Sequence, residues 1–544
     1  MNILHALHAR ISIKQIFALA VAVMGAFAAA CGGGSNVVPP PPTGGFSAAS
    51  LNGTYAFSLT GEDAIGFPIF RIGSFQADGN GNITGAIEDV NDGGSISAFE
   101  FTPAPTSVYT VDANGKGTLT LVHPDPNVAG VNDTFVFTLT LTSTGGGLMI
   151  ETDGSSTMSG NFRRQSITTN FAQAYAFDVS GLDLNLNSSE SIIGNFTTNG
   201  SSITGGSLDD NDDASPSGQT AITPGTITFD LATGAQFGRG SLTLNSTIAG
   251  QIFNLTFEFY VIDGSHIQLI ETDALKATVG VATAQSNVPI NTGQIPGSFV
   301  FATGGGAFNS GNFGPLTRVG RYTADGNGAL TNVALDQNFS GGPQAFPSGS
   351  SSITAGAVTI DPAGSGRGTV TFTDSRSGFQ FLYIFYLANA TQGFIQDNSV
   401  NSVSDGSLTA QTATGLSQSS IAGNYAFNWS GSNANGAGGN EEDFVGVFTL
   451  PSSGGALTNG VVDFAELGAG KVFLNVAFNG TFTLNGDGTG GGANGNTLQI
   501  VTEQTVSGQF NFRVYATSPG NFIIVGVDNG RVVIGPLILQ QTPQ

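Results

Sequence analysis

One stretch constrains this chain more than any other, because it recurs four times. It is Gly73–Gly94, GSFQADGNGNITGAIEDVNDGG. Related copies begin at Gly194 (GNFTTNGSSITGGSLDDNDDAS), Gly320 (GRYTADGNGALTNVALDQNFSGG) and Gly446 (GVFTLPSSGGALTNGVVDFAELG). Each reads as a strand, an Asp/Asn/Gly hairpin turn, a second strand and an acidic loop. The chain is therefore one β unit repeated four times.

The strand before each copy supports this. LNGTYAFSLTG (Leu51–Gly61), FAQAYAFDVSG, IPGSFVFATGG and IAGNYAFNWSG align on Tyr55, Tyr175, Phe299 and Tyr425. Tyr55, Phe57 and Leu59 share one face, and Thr54, Ala56 and Ser58 the other, so an aromatic face turns inward. A Gly-rich turn follows the hairpin: NGKGTLTL, GRGSLTL, GRGTVTF and GDGTGGG. Then come apolar strands such as FVFTLTL (Phe135–Leu141) and a closing strand that ends in Gln165, Gln285, Gln411 or Gln540. About eight strands fit each repeat. Short turns favour an antiparallel meander, and a meander of that size closes into an up-and-down barrel. The expected fold is all-β, with four tandem meander domains at 49–167, 168–290, 291–415 and 416–544. β-Sandwiches are the alternative, and a single four-bladed propeller fits less well.

GTYAF, GSFVF and GNYAF, with DGNGNITG and DGNGALTN, resemble the first strands of avidin-type and lipocalin-type (calycin-like) barrels. The resemblance spans about thirty residues per repeat and implies closed barrels. Those families place Trp where Tyr55, Tyr175, Phe299 and Tyr425 stand. Avidin-like barrels also enclose biotin with several Trp residues. Trp429 is the only one here, so biotin binding is not implied.

Residues 1–30 have the layout of an export signal. Arg10 and Lys14 lie in a polar first part, and IFALAVAVMGAFAAA (Ile16–Ala30) is apolar but too short to span a bilayer. Ala28-Ala29-Ala30-Cys31 resembles the lipobox of bacterial lipoproteins, with Ala28 where Leu is commoner. The resemblance implies acylation of Cys31, a membrane anchor and, since Gly32 follows, outer-membrane sorting. An ordinary signal peptide cut after Ala30 is the alternative. A Gly/Pro-rich tether occupies 31–48. Cys31 is the only cysteine, which excludes an intrachain disulfide.

Basic residues number 15 against 38 acidic ones. Arg10 and Lys14 precede Cys31, so 13 basic residues remain against the same 38 acids. Such a body repels nucleic acid and anionic lipid, and it favours cations or neutral ligands.

Asp78, Asn80, Asn82 and Asp89 approach the spacing of a calcium loop, but Ile83 stands where that loop needs Gly. An Asn-Gly hairpin turn explains the same residues. The clusters Glu88, Asp89, Asp92 and Asp209, Asp210, Asp212, Asp213 are better candidates for a hard cation such as Ca²⁺, with a solvated loop as the plain reading. No other cofactor is expected. Glu151/Asp153 and Glu271/Asp273 share a strand face at i, i+2, which suits either an inverting glycosidase pair or a strand running into a turn. Tyr425, Phe427 and Trp429 lie on one face, as core or as a ligand-stacking floor. His123 and His266 occupy unrelated positions, and no nucleophile elbow, phosphate loop or dinucleotide fingerprint is present.

Three classes of function follow. The first is a non-enzymatic surface spacer, adhesive or binding module. The second binds a small molecule or glycan inside a barrel. The third hydrolyses an extracellular glycan. The first is preferred, because the repeats share no polar constellation that would carry one chemistry.

Overall fold

The computed structural model describes residues 45–541, except 104, 126–127, 129, 144, 170, 231–232, 249–250, 310–311, 347–352, 414, 434–439, 468–470, 486–496 and 503–508. Cys31, the export signal and nearly all of the tether lie outside the described residues.

Four antiparallel sheets follow one another at 52–164, 174–284, 297–410 and 423–539. The second and fourth are closed eight-stranded barrels in chain order. In the third, Ala329–Phe339 pairs both with Asn312–Ala324 and with Ile353–Ile360, which closes eight strands, and Gly342–Phe346 adds a ninth outside the ring. The first departs from the expected closed barrel of eight. It keeps nine strands in an open order ending at Ser95–Phe101 and Val108–Val111, and a single bridge from Asn82 to Val108 spans its seam. Pro103 and Pro105 separate those two strands. Proline donates no N–H to a ladder, so one long strand becomes two. In the second repeat the equivalent strand, Ser215–Phe229, stays whole and absorbs Pro224 as a register shift between Thr223 and Thr226.

The inward faces explain why the repeat begins with glycine. Tyr55 stacks on Phe75 at 5.4 Å, Tyr175 on Phe196 at 5.4 Å, Phe299 on Tyr322 at 5.6 Å and Tyr425 on Phe448 at 5.7 Å. Two residues along, the ring tips of Phe57, Phe177, Phe301 and Phe427 press against Gly73, Gly194, Gly320 and Gly446. A Cβ at those glycines would meet the ring at 2.6, 2.7, 2.4 and 2.5 Å. Gly194→Ala is therefore expected to destabilise by about 1–3 kcal/mol through overpacking, read as a lower urea midpoint. An unchanged midpoint would refute this account of the glycines.

The outward faces of these strands are buried too. The first strands of each barrel pack on the last strands of the next, and the first strands of the fourth return to the last strands of the first. Four head-to-tail contacts close a ring. Ala56, Ile72 and Ile87 meet Ile262, Ile270 and Val279 across the first seam. Ala176 and Ile193 meet Ile384 and Ala388 across the second. Val300 and Val319 meet Ile523 and Val532 across the third, and Ala426 and Val445 meet Leu148 and Ile150 across the fourth.

The closing glutamines pin every seam. The side-chain amide of Gln165 donates to the carbonyls of Phe237 and Val261, and that of Gln285 to Ser365 and Leu387. Gln411 donates to Ala516, and Gln540 crosses back to Asn114 and Leu141 of the first repeat. The next backbone N–H repeats the pattern: Ser166 to Ile262, Ser286 to Ala388, Thr412 to Thr517 and Gln541 to Thr142, all at 2.7–2.8 Å.

Candidate functional site: charged seams and an open barrel mouth

The acids expected in exposed loops lie on strands instead. Ile83–Asp92 carries Glu88, Asp89 and Asp92, and Ser202–Asp212 carries Asp209, Asp210 and Asp212. Strand alternation then splits each cluster between two environments.

Asp89 and Asp209 point outward into the seams. Asp89 accepts a bidentate pair from Arg239 of the second barrel, both contacts at 2.7 Å, and a hydrogen bond from Tyr260 at 2.8 Å. Asp209 takes the same set from the third barrel: Arg367 at 2.7 and 2.8 Å and Tyr386 at 2.8 Å. At the third seam Asp336 accepts from Tyr515 at 2.6 Å, with Arg513 at 3.9 Å. At the fourth, Asp463 meets Lys116 of the first repeat at 2.8 Å. Lys116, Arg239 and Arg367 are the basic residues of the repeated Gly turn. A neighbouring asparagine adds neutral bonds: Asn91 donates to the carbonyls of Glu271 and Lys276, and Asn211 to Asp397 and Ser402.

Glu88 and Asp210 point inward. Glu88 lies 3.1 Å from Arg71, and burial pushes its carboxyl up to about 7. Arg71 also faces Glu151 at 3.8 Å and lies 3.9 Å over the Phe135 ring. Burial raises Asp210 to about 7 as well, against the pull of Lys276. Lys276 pairs with Glu190 and lies over Phe253. Glu151 bonds Ser156, and Glu271 accepts from Thr278 at 2.6 Å. The i, i+2 partner Asp153 instead caps a turn, accepting from Val136 and Ser155. Asp92 is half-buried at its strand end, Asp212 accepts from Ser188 at 2.6 Å, and Asp213 turns the chain at φ 50°.

Asp78 caps the opening hairpin. It accepts from the backbone of Asn80 at 2.7 Å and of Asn82 at 3.1 Å, and the Asn82 side chain holds its carboxyl down at about 2. Tyr425, Phe427 and Trp429 are buried in the fourth core, with the indole stacked 4.4 Å from Phe427. His266 sits 2.9 Å from Asp263. Among the described residues, no group of three or more His, Cys, Asp or Glu side chains is arranged to hold a metal ion.

The third barrel has an open mouth, formed by residues that the sequence did not single out. A cavity of about 970 Å³ reaches from Phe308 and Phe339 past Phe346 to Arg376, Phe379 and Phe381. The corresponding mouth of the first repeat encloses about 220 Å³. There His123 stacks on Phe99 at 4.3 Å and lies tilted against Phe135 at 5.4 Å, filling most of the end. Strand register equates His123 with Asp374, Asp133 with Phe379 and Val90 with Gln337. The plugging ring is thus replaced by a short acid, and new rings and amides line the rim.

No known protein family matches the chain, and no curated protein does. Among solved structures it is similar to isotype 1 transferrin binding protein B of serogroup B Neisseria meningitidis, with 6% identity, 66% of this chain and 75% of that chain covered, and a TM-score of 0.18. It is also similar to a mutant of the vaccine antigen transferrin binding protein B of Haemophilus parasuis, with 10% identity, 77% and 85% covered, and a TM-score of 0.18. At that TM-score neither likeness bears on fold or function, which rest on the residues above.

Proposed function

We propose that this is an exported, lipid-anchored protein of the cell envelope, sorted to the outer membrane, that holds a rigid ring of β barrels away from the lipid and acts by binding. The closed ring of packed β units carries this reading. Aromatic cores fill the middle of each described unit, the third barrel opening only at its mouth, and four pinned seams suit a stiff platform. A glycosidase would need its carboxylates in a groove, whereas Glu151 and Glu271 are buried beside Arg71 and Lys276. The Gly/Pro-rich tether gives the ring reach, and acyl chains on Cys31 supply the anchor.

Intact mass spectrometry of detergent-extracted protein tests the anchor. The expected chain begins at an acylated Cys31, and Cys31→Ser moves the protein from the membrane to the soluble fraction. A free Cys31 thiol in the membrane-associated protein would overturn the anchoring.

A further inference from the structure

We infer that the mouth of the third barrel is a binding site for a short neutral glycan. The proposal rests on the reading of this protein as a binding module and assigns that module a site and a ligand class. The cavity, at about 970 Å³, has the size of a ligand pocket rather than a packing defect. Its rim combines three features.

The first is aromatic. Phe308 and Phe339 are half-buried, and Phe379 is 37% exposed on the turn before its strand. Phe379 meets Phe381 edge-on at 4.9 Å, which holds its ring in place. Exposed rings suit the C–H faces of pyranose sugars, which are apolar although their edges carry hydroxyls.

The second is a set of planar polar groups. Gln337 and Gln344 bond each other at 3.0 Å at the rim, and each amide keeps further donor and acceptor positions. Arg376 binds Asp374 through Nε at 3.1 Å and lies 4.7 Å over the Phe346 ring, with half of its side chain exposed. Sugar hydroxyls both donate and accept, so they match such a mixed rim.

The third feature is charge, which decides between ligand classes. Each guanidinium in the cavity already has a carboxylate: Arg376 has Asp374, and Arg318 has Asp397. The mouth is formally neutral, and the protein around it carries a large excess of acids. A phosphate or uronate would meet no spare positive charge and would be repelled at a distance. A neutral polyol has no such cost. The equivalent place is filled by His123 over Phe99 in the first repeat and by Phe464 stacked on Phe473 at 4.4 Å in the fourth, and in the second barrel the acidic Asp210 stands where the third has Gln337. One site per chain is therefore expected.

Isothermal titration of the full detergent-extracted protein with maltopentaose, cellopentaose, laminaripentaose and tetra-N-acetylchitotetraose tests this, with trigalacturonate as the charged control. At least one neutral probe is expected to bind at one per chain. Phe379→Ala and Arg376→Ala, both on an exposed turn, are each expected to weaken it at least about tenfold with unchanged melting temperature. Phe99→Ala in the first repeat is expected to leave the affinity unchanged. Binding of trigalacturonate alone, binding indifferent to both substitutions, or no binding by any neutral probe to folded protein would overturn the site. Cleavage of a bound probe, seen by chromatography, would instead refute the non-enzymatic reading and leave the site standing.

Discussion

Arg239→Ala is expected to cost about 3–5 kcal/mol, the scale for removing one partner of a buried ion pair. Arg239 stands at the first seam with three acids around it: Asp89 at 2.7 Å, Asp230 at 2.7 Å and Glu258 at 3.4 Å. Asp89 belongs to the first repeat and the other two to the second. Truncation leaves the buried Asp89 carboxylate with Tyr260 as its remaining donor, and beside two like charges. Arg367→Ala should cost less. Asp209 also keeps its tyrosine, but among the described residues no second acid pairs with Arg367. The double variant Asp89→Ala/Arg239→Ala should recover part of the loss, since the uncompensated charge goes with the cation. Urea unfolding measures the cost, and small-angle scattering reports whether the ring opens. A loss below about 1 kcal/mol for Arg239→Ala would mean that water enters the seam and that the pair behaves as a surface contact.

The barrels were legible in the sequence, and the ring was not. Alternation places Tyr55, Phe57 and Leu59 inward, and Gly73 with its counterparts marks where an aromatic ring presses on the backbone. These are local signals, repeated four times. The opposite face of the same strand reads Ala56, Ser58 and Thr60, small and polar residues that suit either solvent or a close seam. No period separates those cases. Charged seam partners lie 150 residues apart in Asp89 and Arg239 and 347 apart in Lys116 and Asp463, and such distances leave no pattern in a window of strand length. A signal did exist at the level of the repeat. An Asp recurs as Asp89, Asp209, Asp336 and Asp463, a basic residue recurs in three of the Gly turns, and every closing strand ends in Gln. Charges kept in register across repeats with diverged loops are what an interface between repeats requires. The open mouth of the third barrel was hidden for a different reason. Equating His123 with Asp374, and Val90 with Gln337, needs the pairing register, which bulges and the split fourth strand shift from repeat to repeat.

The seams also make stability fall as pH rises, because two of them bury acids against acids. At the second seam Asp178 and Asp405 face one another, with Ser180 and Ser191 beside them. Burial, reinforced by Asp405, raises Asp178 well above the usual carboxylate range, and burial pushes Asp405 up to about 7. At the fourth seam Glu441 and Asp443 lie beside Glu62 and Ser430, with Ser159 next to Asp443, and burial again raises both. An unfolded carboxyl titrates near about 4. Between about pH 4 and 7 the native state therefore holds protons that the unfolded state has released, and stability falls with rising pH. It is complete below the unfolded value and lost as the buried acids ionise. The melting temperature is expected to drop by on the order of 5 °C or more from pH 5 to pH 8. Self-repulsion of the acidic surface gives the same sign, but 1 M NaCl screens exposed charges and leaves the seams untouched. Asp178→Asn keeps the shape, removes one ionisable group, and is expected to raise the melting temperature at pH 8 while changing it little at pH 5. A profile that is flat in high salt, or one that Asp178→Asn does not alter, would place the proton uptake outside the seams.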